Sequence, residues 1–274
     1  LLLESGLKPN TIRNITTFLG SCFEHAIRKR WASENPVRYS TRPKRRRSND
    51  ANPDLQFLTL EQLEAVLAAI PDEVVQPDPA PARQGRCGPA PPIPADVWGP
   101  VMRVIILVAA VTGLRQSELL GLRWKNVDFN NQRIRVRNAW VRGEHSDEGK
   151  SDLSTRRSTP VEDLAFAALR VWKKRTAYSA PNDLVLGHPE TGKPLDRTKV
   201  TRKFQQACLD AGVPVIRFHD LRHTFGTHMA AAGTPLRIIQ EMMGHADAKT
   251  TQVYSHYAPS PHEVRHGQQG VLAA

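Results

Sequence analysis

The stretch "VIILVAAVTGLRQSELLGLRW", residues 104–124, runs from an unbroken apolar segment into a Thr-Gly break and then a second, shorter helical pattern. A helix apolar on every side belongs inside a domain, so this segment predicts a buried helix. Thr112-Gly113 ends that helix and Gln116-Ser117-Glu118 opens the next, which leaves Arg115 at the junction, with Glu118 three residues further along the same face. Two local readings stand side by side: an Arg–Glu pair that ties two helix ends, or a cation held there for an anion from outside.

Downstream, "DFNNQRIRVRNAWV" (128–141) carries an Asn-Asn turn and then alternates Ile134 and Val136 with arginines, the pattern of a strand; "RRSTPV" (156–161) reads as its return. Apolar spacing predicts helices over about 161–177, 196–211, 219–231, 235–243 and 247–255. Upstream, Thr59 can cap the helix "LEQLEAVLAAI" (60–70), and residues 71–100 hold nine prolines and read as a long irregular loop. Ile12, Ile15, Leu19, Cys22, Phe23, Ala26 and Ile27 mark one amphipathic helix behind an Asn10-Thr11 cap. A single helix cannot enclose a core, so residues 1–48 are expected to be the end of a domain that begins earlier. The fold class expected is mainly α with one small antiparallel sheet (α+β), in a second domain over 56–258.

Lysine and arginine outnumber aspartate and glutamate 38 to 27, a net charge of +11 that suits a polyanionic partner. Part of the surplus sits in "STRPKRRRSND" (40–50), where Arg42, Lys44, Arg45, Arg46 and Arg47 crowd a polar linker that ends near 49–55, either a solvated connection or a strap lying along phosphates. The three cysteines, Cys22, Cys87 and Cys208, are far apart and outside any ligand spacing, which fits a reducing cytoplasm and argues against a disulfide framework or a zinc site. The run at 104–111 is too short to span a bilayer, so no membrane partner is expected.

Three more islands join the opening stretch: "GKSDLSTRRSTP" (149–160), "HDLRHTFGTH" (219–228) and "MMGHADAKTTQVYSHY" (242–257). His219 and Arg222 are three apart on one helical face, His245 follows Gly244, and Tyr254 comes nine residues after His245. In this order (Arg-x-x-Glu, a lysine before a hairpin strand, His-x-x-Arg, Gly-His, then Tyr) the chain resembles the tyrosine recombinases, the phage-integrase family of site-specific DNA recombinases. The resemblance runs from about 56 to 258 and accounts for the helix at 10–30 as the last part of a core-binding domain. It implies that Arg115, Lys150, His219, Arg222 and His245 are catalytic, that Tyr254 is the nucleophile forming a 3′-phosphotyrosine, and that Glu118 fixes Arg115. It also implies duplex attachment sites as substrate, a homotetrameric synapse, no cofactor and no metal.

The chemistry of these residue types agrees. Two arginine forks can neutralise the charge that gathers on a phosphodiester under in-line attack. A phenol needs its proton removed nearby, and His219 can serve; a lysine ammonium can protonate the leaving 5′ oxygen. Lys150 stands in a hairpin longer than usual, with Arg156 and Arg157 as fallback cations, and Tyr257 is a rival nucleophile off the spacing. The tail 259–274 is polar and short, either a frayed end or a segment docking on a neighbouring subunit. Against this reading stand a type IB topoisomerase, which reseals the same strand, a catalytically silent DNA-binding module, and a metal hydrolase built on His219, His223, His228, His245 and His256. The last lacks clustered carboxylates and a third ligand at a fitting spacing.

Overall fold

A computed structural model describes residues 6–41, 43, 55–73, 97–141, 143–146 and 157–259. The chain divides after Pro53 into two compact units. In the first, α1 (Pro9–Arg28) starts two positions earlier than a cap at Asn10 would place it, because Lys8 is the cap and Pro9 takes the first helical position, where its missing N–H costs nothing. α1 buries Ile12 and Thr16 and leaves Phe18 and Leu19 exposed. A short 3-10 turn (Pro36–Tyr39) folds back on it through Asn35, whose side chain caps Val37 N and donates to Gly20 O at 3.2 Å and Glu24 Oε1 at 2.9 Å.

The second unit is built around α3 (Gly99–Thr112), the apolar stretch of the opening, in which Ile105, Ile106 and Val108 are wholly buried. Gly99 and Pro100 already belong to this helix, so the expected irregular loop ends sooner; its stretch 74–96 lies outside the described residues. Around α3 pack α2 (Leu60–Ala69), α5 (Asp163–Arg175), α6 (Arg197–Asp210) and α7 (Asp220–Ala231). α2 carries the expected Thr59 cap as a full capping box: Thr59 Oγ1 accepts from Gln62 N while Gln62 Oε1 accepts from Thr59 N. α4 (Gln116–Leu120) follows α3 directly, and α8 (Leu236–Met243) follows α7.

The strands form two sheets among the described residues, one more than expected. β1 (Val127–Asp128), β2 (Arg133–Val136) and β5 (Arg157–Pro160) make an antiparallel sheet in the order β1-β2-β5, while β3 (Ala139–Val141) and β4 (Glu144–Ser146) pair as a separate ribbon. Asp128 closes the turn before β2 by accepting from the backbone of Asn130 and Asn131 and from Arg135 at 2.8 Å. Strand parity then sorts the side chains: Ile134 and Val136 point inward, and on β5 so do Arg157 and Thr159.

The helix expected over 247–255 is instead two 3-10 segments, Ala248–Thr250 and Gln252–Tyr257. Their three-residue turn has a physical reason. It stacks residues i and i+3 on one side, so Thr251 and Tyr254 are both buried and Tyr257 lies against Phe57, with ring centres 5.3 Å apart. An α-helical turn would set Tyr254 about 60° round from Thr251 instead of in line with it. The tail from residue 260 lies outside the described residues.

Candidate active site

The site is assembled where several helices end. α8 stops at Gly244, whose backbone is left-handed (φ 66°) and where a Cβ would stand 2.7 Å from Arg157 Nη1, so only glycine fits. Its last carbonyls have no helical partner and carry the negative end of the helix dipole. Three successive carbonyls each accept from a different arginine. Arg157 Nε reaches Met242 O at 2.8 Å, Arg222 Nη2 reaches Met243 O at 2.6 Å, and Arg115 Nη2 reaches Gly244 O at 3.0 Å. Arg222 also donates to Gly113 O at the end of α3. The apolar stretch thus ends by holding a guanidinium.

Glu118 ties the group together. It is 5% exposed and accepts from Arg115 Nη1 (2.8 Å), from Arg115 N (2.8 Å) and from both Nη1 (3.1 Å) and Nη2 (2.7 Å) of Arg157. Burial works to raise its carboxyl, but the hydrogen bonds and charge of Arg157, with those of Arg115, hold it below the ordinary carboxylate range. The first local reading of the opening stretch is therefore seen directly: Arg115 is tied to Glu118, while its side chain keeps 37% of its surface open. Arg222 is buried, and burial together with the charge of Arg115 pulls it down to about 9, still a cation at neutral pH.

Around the arginines stand three histidines and a tyrosine. His245 Nδ1 lies 2.8 Å from Thr251 Oγ1, and burial followed by the charges of Arg222, Arg115 and Arg157 lowers it to about 3. His223 Nδ1 lies 2.8 Å from the Tyr254 hydroxyl, and burial and the neighbouring His219 lower it to about 4. His219, at the cap of α7, meets His223 edge to face at 5.7 Å, and desolvation followed by Arg222 lowers it too. Tyr254 is 1% exposed; burial raises its phenol to about 12, against a downward pull from Arg222. With these values the phenol keeps its proton and His223 is neutral, and the tautomer of His223 sets which of the two donates.

The ring of Tyr254 rests on α7 at Gly226, where a Cβ would come within 2.4 Å of Cζ. Alanine in a helix interior normally gains about 1 kcal/mol over glycine, but here the clash dominates. Gly226→Ala is therefore expected to push the ring into solvent and return its titration from about 12 toward the ordinary value near 10. Carbon-13 NMR of labelled tyrosine rings measures this, and an unmoved titration would show that α7 does not bury the phenol.

The structure thus brings Arg115, Glu118, Arg222, His245 and Tyr254 into one cluster, with His219 at its edge. Lys150, Arg156 and the linker cations Arg42, Lys44, Arg45, Arg46 and Arg47 lie outside the described residues. Arg157, a fallback acid in the sequence reading, is spoken for by Glu118 and Met242 O and is corrected to a buried structural cation. The hydroxyl of Tyr254 is met by His223 rather than by His219. Among the described residues no group of three or more His, Cys, Asp and Glu side chains is placed to hold a metal ion, and no helix is long and apolar enough to cross a membrane.

A mainly helical domain with a small antiparallel sheet, closed around arginines, histidines and a buried tyrosine, defines a class, and comparison with known proteins places the chain in it. The family described as the phage integrase family matches residues 98–261, and the chain belongs to that family. It is 24% identical over 280 residues to a tyrosine recombinase XerC-like protein of Caldanaerobacter subterraneus subsp. tengcongensis, covering 94% of this chain and 65% of that one. It is 30% identical over 271 residues to tyrosine recombinase XerC of Mycobacterium sp. (strain KMS), covering 96% and 77%. The chain therefore spans just under two thirds of the first relative's length. In fold it resembles the Tn1549 transposon integrase solved in complex with transposon right end DNA, with a TM-score of 0.63, 24% identity and coverage of 100% of this chain and 82% of that one.

Proposed function

We propose that the protein is a site-specific DNA recombinase of integrase type, which cuts and rejoins duplex attachment sites of a phage or other mobile element through a 3′-phosphotyrosyl intermediate. One observation carries the reading: two guanidiniums, Arg115 and Arg222, donate to successive carbonyls at the helix end that leads into His245, both charges bear on His245, and that of Arg222 also reaches the phenol of Tyr254. Arg115, Arg222 and His245 hold the scissile phosphate by its non-bridging oxygens. The Tyr254 oxygen bonds to phosphorus, the bond to the 5′ oxygen breaks, and the phenol proton passes to a neighbouring base, for which His223 is the nearest acceptor and His219 the one the motif suggests. Lys150 delivers the proton to the leaving 5′ oxygen. The phosphotyrosine conserves the bond energy, so a 5′ hydroxyl from a second DNA reverses the step and no cofactor is needed.

The phenol is buried at rest, so the turn 252–257 has to carry it off Gly226 before it meets DNA. Such gating suits a protein that acts only in a synapse, for which the assembly we propose is a homotetramer on paired sites. A cytoplasmic location goes with this substrate. The linker cations Arg42 to Arg47 add phosphate contacts.

The test uses the protein with DNA spanning the junctions that flank its own gene. A denaturant-resistant protein–DNA adduct is expected in excess EDTA, and its yield should fall steeply with salt, by about 10³-fold or more between 50 and 200 mM if six or more phosphates are neutralised. An adduct lost on chelation and restored by a divalent ion would instead put the protein among metal-dependent nucleases.

A further inference from the structure

His245 is neutral in this cluster, and a neutral imidazole can donate only from the nitrogen that carries its single hydrogen. Which nitrogen that is depends on what faces the other. Nδ1 faces Oγ1 of Thr251 at 2.8 Å, and Thr251 is 2% exposed. Among the described residues the hydroxyl has no second partner, so if it accepted from Nδ1–H its own hydrogen would be buried without an acceptor. If it donates to Nδ1, both atoms are satisfied and the ring hydrogen must sit on Nε2. The main chain that carries the ring is fixed as well: His245 N donates to Gln240 O at 3.0 Å, and Gln240 Nε2 donates back to His245 O at 3.1 Å. Thr251 is itself anchored by its N–H on Ala248 O, and its carbonyl accepts from Tyr254 N at 3.1 Å.

We propose that Thr251 is a positioning residue that fixes His245 as the Nε2–H tautomer, so that the edge turned away from Thr251 presents a hydrogen-bond donor to an anion held by Arg115 and Arg222. The inference rests on the recombinase reading for the nature of that anion, a DNA phosphate, but not for the tautomer itself. A lone pair on that edge would repel a phosphate oxygen where the arginines draw it in, so the hydroxyl of Thr251 decides whether His245 helps or opposes them. One buried hydroxyl also joins the two catalytic elements, since the turn that starts at Thr251 carries Tyr254.

Nitrogen-15 histidine labelling of the chain, read by long-range proton–nitrogen correlation at pH 7 without DNA, reports the tautomer of each ring; His245→Gln identifies the resonances. Wild type is expected to show His245 protonated on Nε2, Thr251→Ser to keep that pattern, and Thr251→Val to show both tautomers. Adduct formation on the junction DNA should fall about tenfold in Thr251→Val and recover in Thr251→Ser. A wild-type ring protonated on Nδ1, a Thr251→Val spectrum identical to wild type, or an unchanged adduct rate in Thr251→Val overturns the proposal. The spectra need no DNA, so a wild-type protein with the expected tautomers that never forms an adduct overturns the recombinase reading alone.

Discussion

Tyr254→Phe is expected to reduce the covalent DNA adduct to background while Tyr257→Phe leaves it at the wild-type level. The two tyrosines differ by one 3-10 turn and so lie on the same side of the segment, but they face different neighbours. The hydroxyl of Tyr254 is bonded to His223, and although burial holds its phenol above the ordinary range, the charge of Arg222 acts against that burial. Tyr257 packs its ring edge to face on Phe57. Removing the Tyr254 oxygen removes the atom that would bond to phosphorus, so no residual rate is available through that route. The fold should survive, because the change costs one neutral hydrogen bond, about 1 kcal/mol, and leaves His223 half-buried with access to solvent. Thermal unfolding of the variant checks that point. A Tyr254→Phe protein that still carries DNA through denaturation would return the nucleophile to Tyr257 or elsewhere.

How far the sequence reveals this site depends on the kind of order involved. Arg115 with Glu118, and His219 with Arg222, are legible because helical spacing puts residues three apart on one face whatever surrounds them. Gly244 before His245 is legible as a helix stop. What sequence spacing leaves open is which side of an element faces which neighbour. His219 and His223 are four apart on the same helix, and only the packing of the 252–257 turn on Gly226 decides that His223 is the one that meets the phenol. Arg156 and Arg157 look equivalent in "STRRSTP", yet strand parity sends Arg157 inward with Thr159 and Val161. The parity signal was present in the alternation of these residues, but the destination, a carboxylate 39 positions earlier, is a tertiary fact. The ribbon β3–β4 and the 3-10 turns before Tyr254 escaped for a related reason. Each is too short for periodicity to separate it from a longer strand or an α-helix.

Breaking the Glu118–Arg157 pair from either side should be among the most destabilising single changes in the molecule, while breaking it from both sides should cost much less than twice as much. Both side chains are about nineteen-twentieths buried, with 5% and 6% exposure, and they meet through two hydrogen bonds of 2.7 and 3.1 Å. Desolvating two such ions is expensive, so the intact pair contributes little net stability, but removing one partner leaves the other charged, buried and unpaired, at a cost of about 3–5 kcal/mol. Against a typical domain stability of about 5–15 kcal/mol, Glu118→Ala or Arg157→Ala should lower the urea midpoint substantially. The two cases are not symmetric. Without Arg157, Glu118 keeps Arg115; without Glu118, three guanidiniums share one helix end with only carbonyls to face, so Glu118→Ala should be the worse of the two. In the double variant the second change removes a charge that was already unpaired, which gives a coupling energy of several kcal/mol in the double-mutant cycle. Strict additivity of the two single costs would mean that each residue acts through separate contacts, and the arrangement in which one buried carboxylate places Arg115 through a shared network with Arg157 would have to be abandoned.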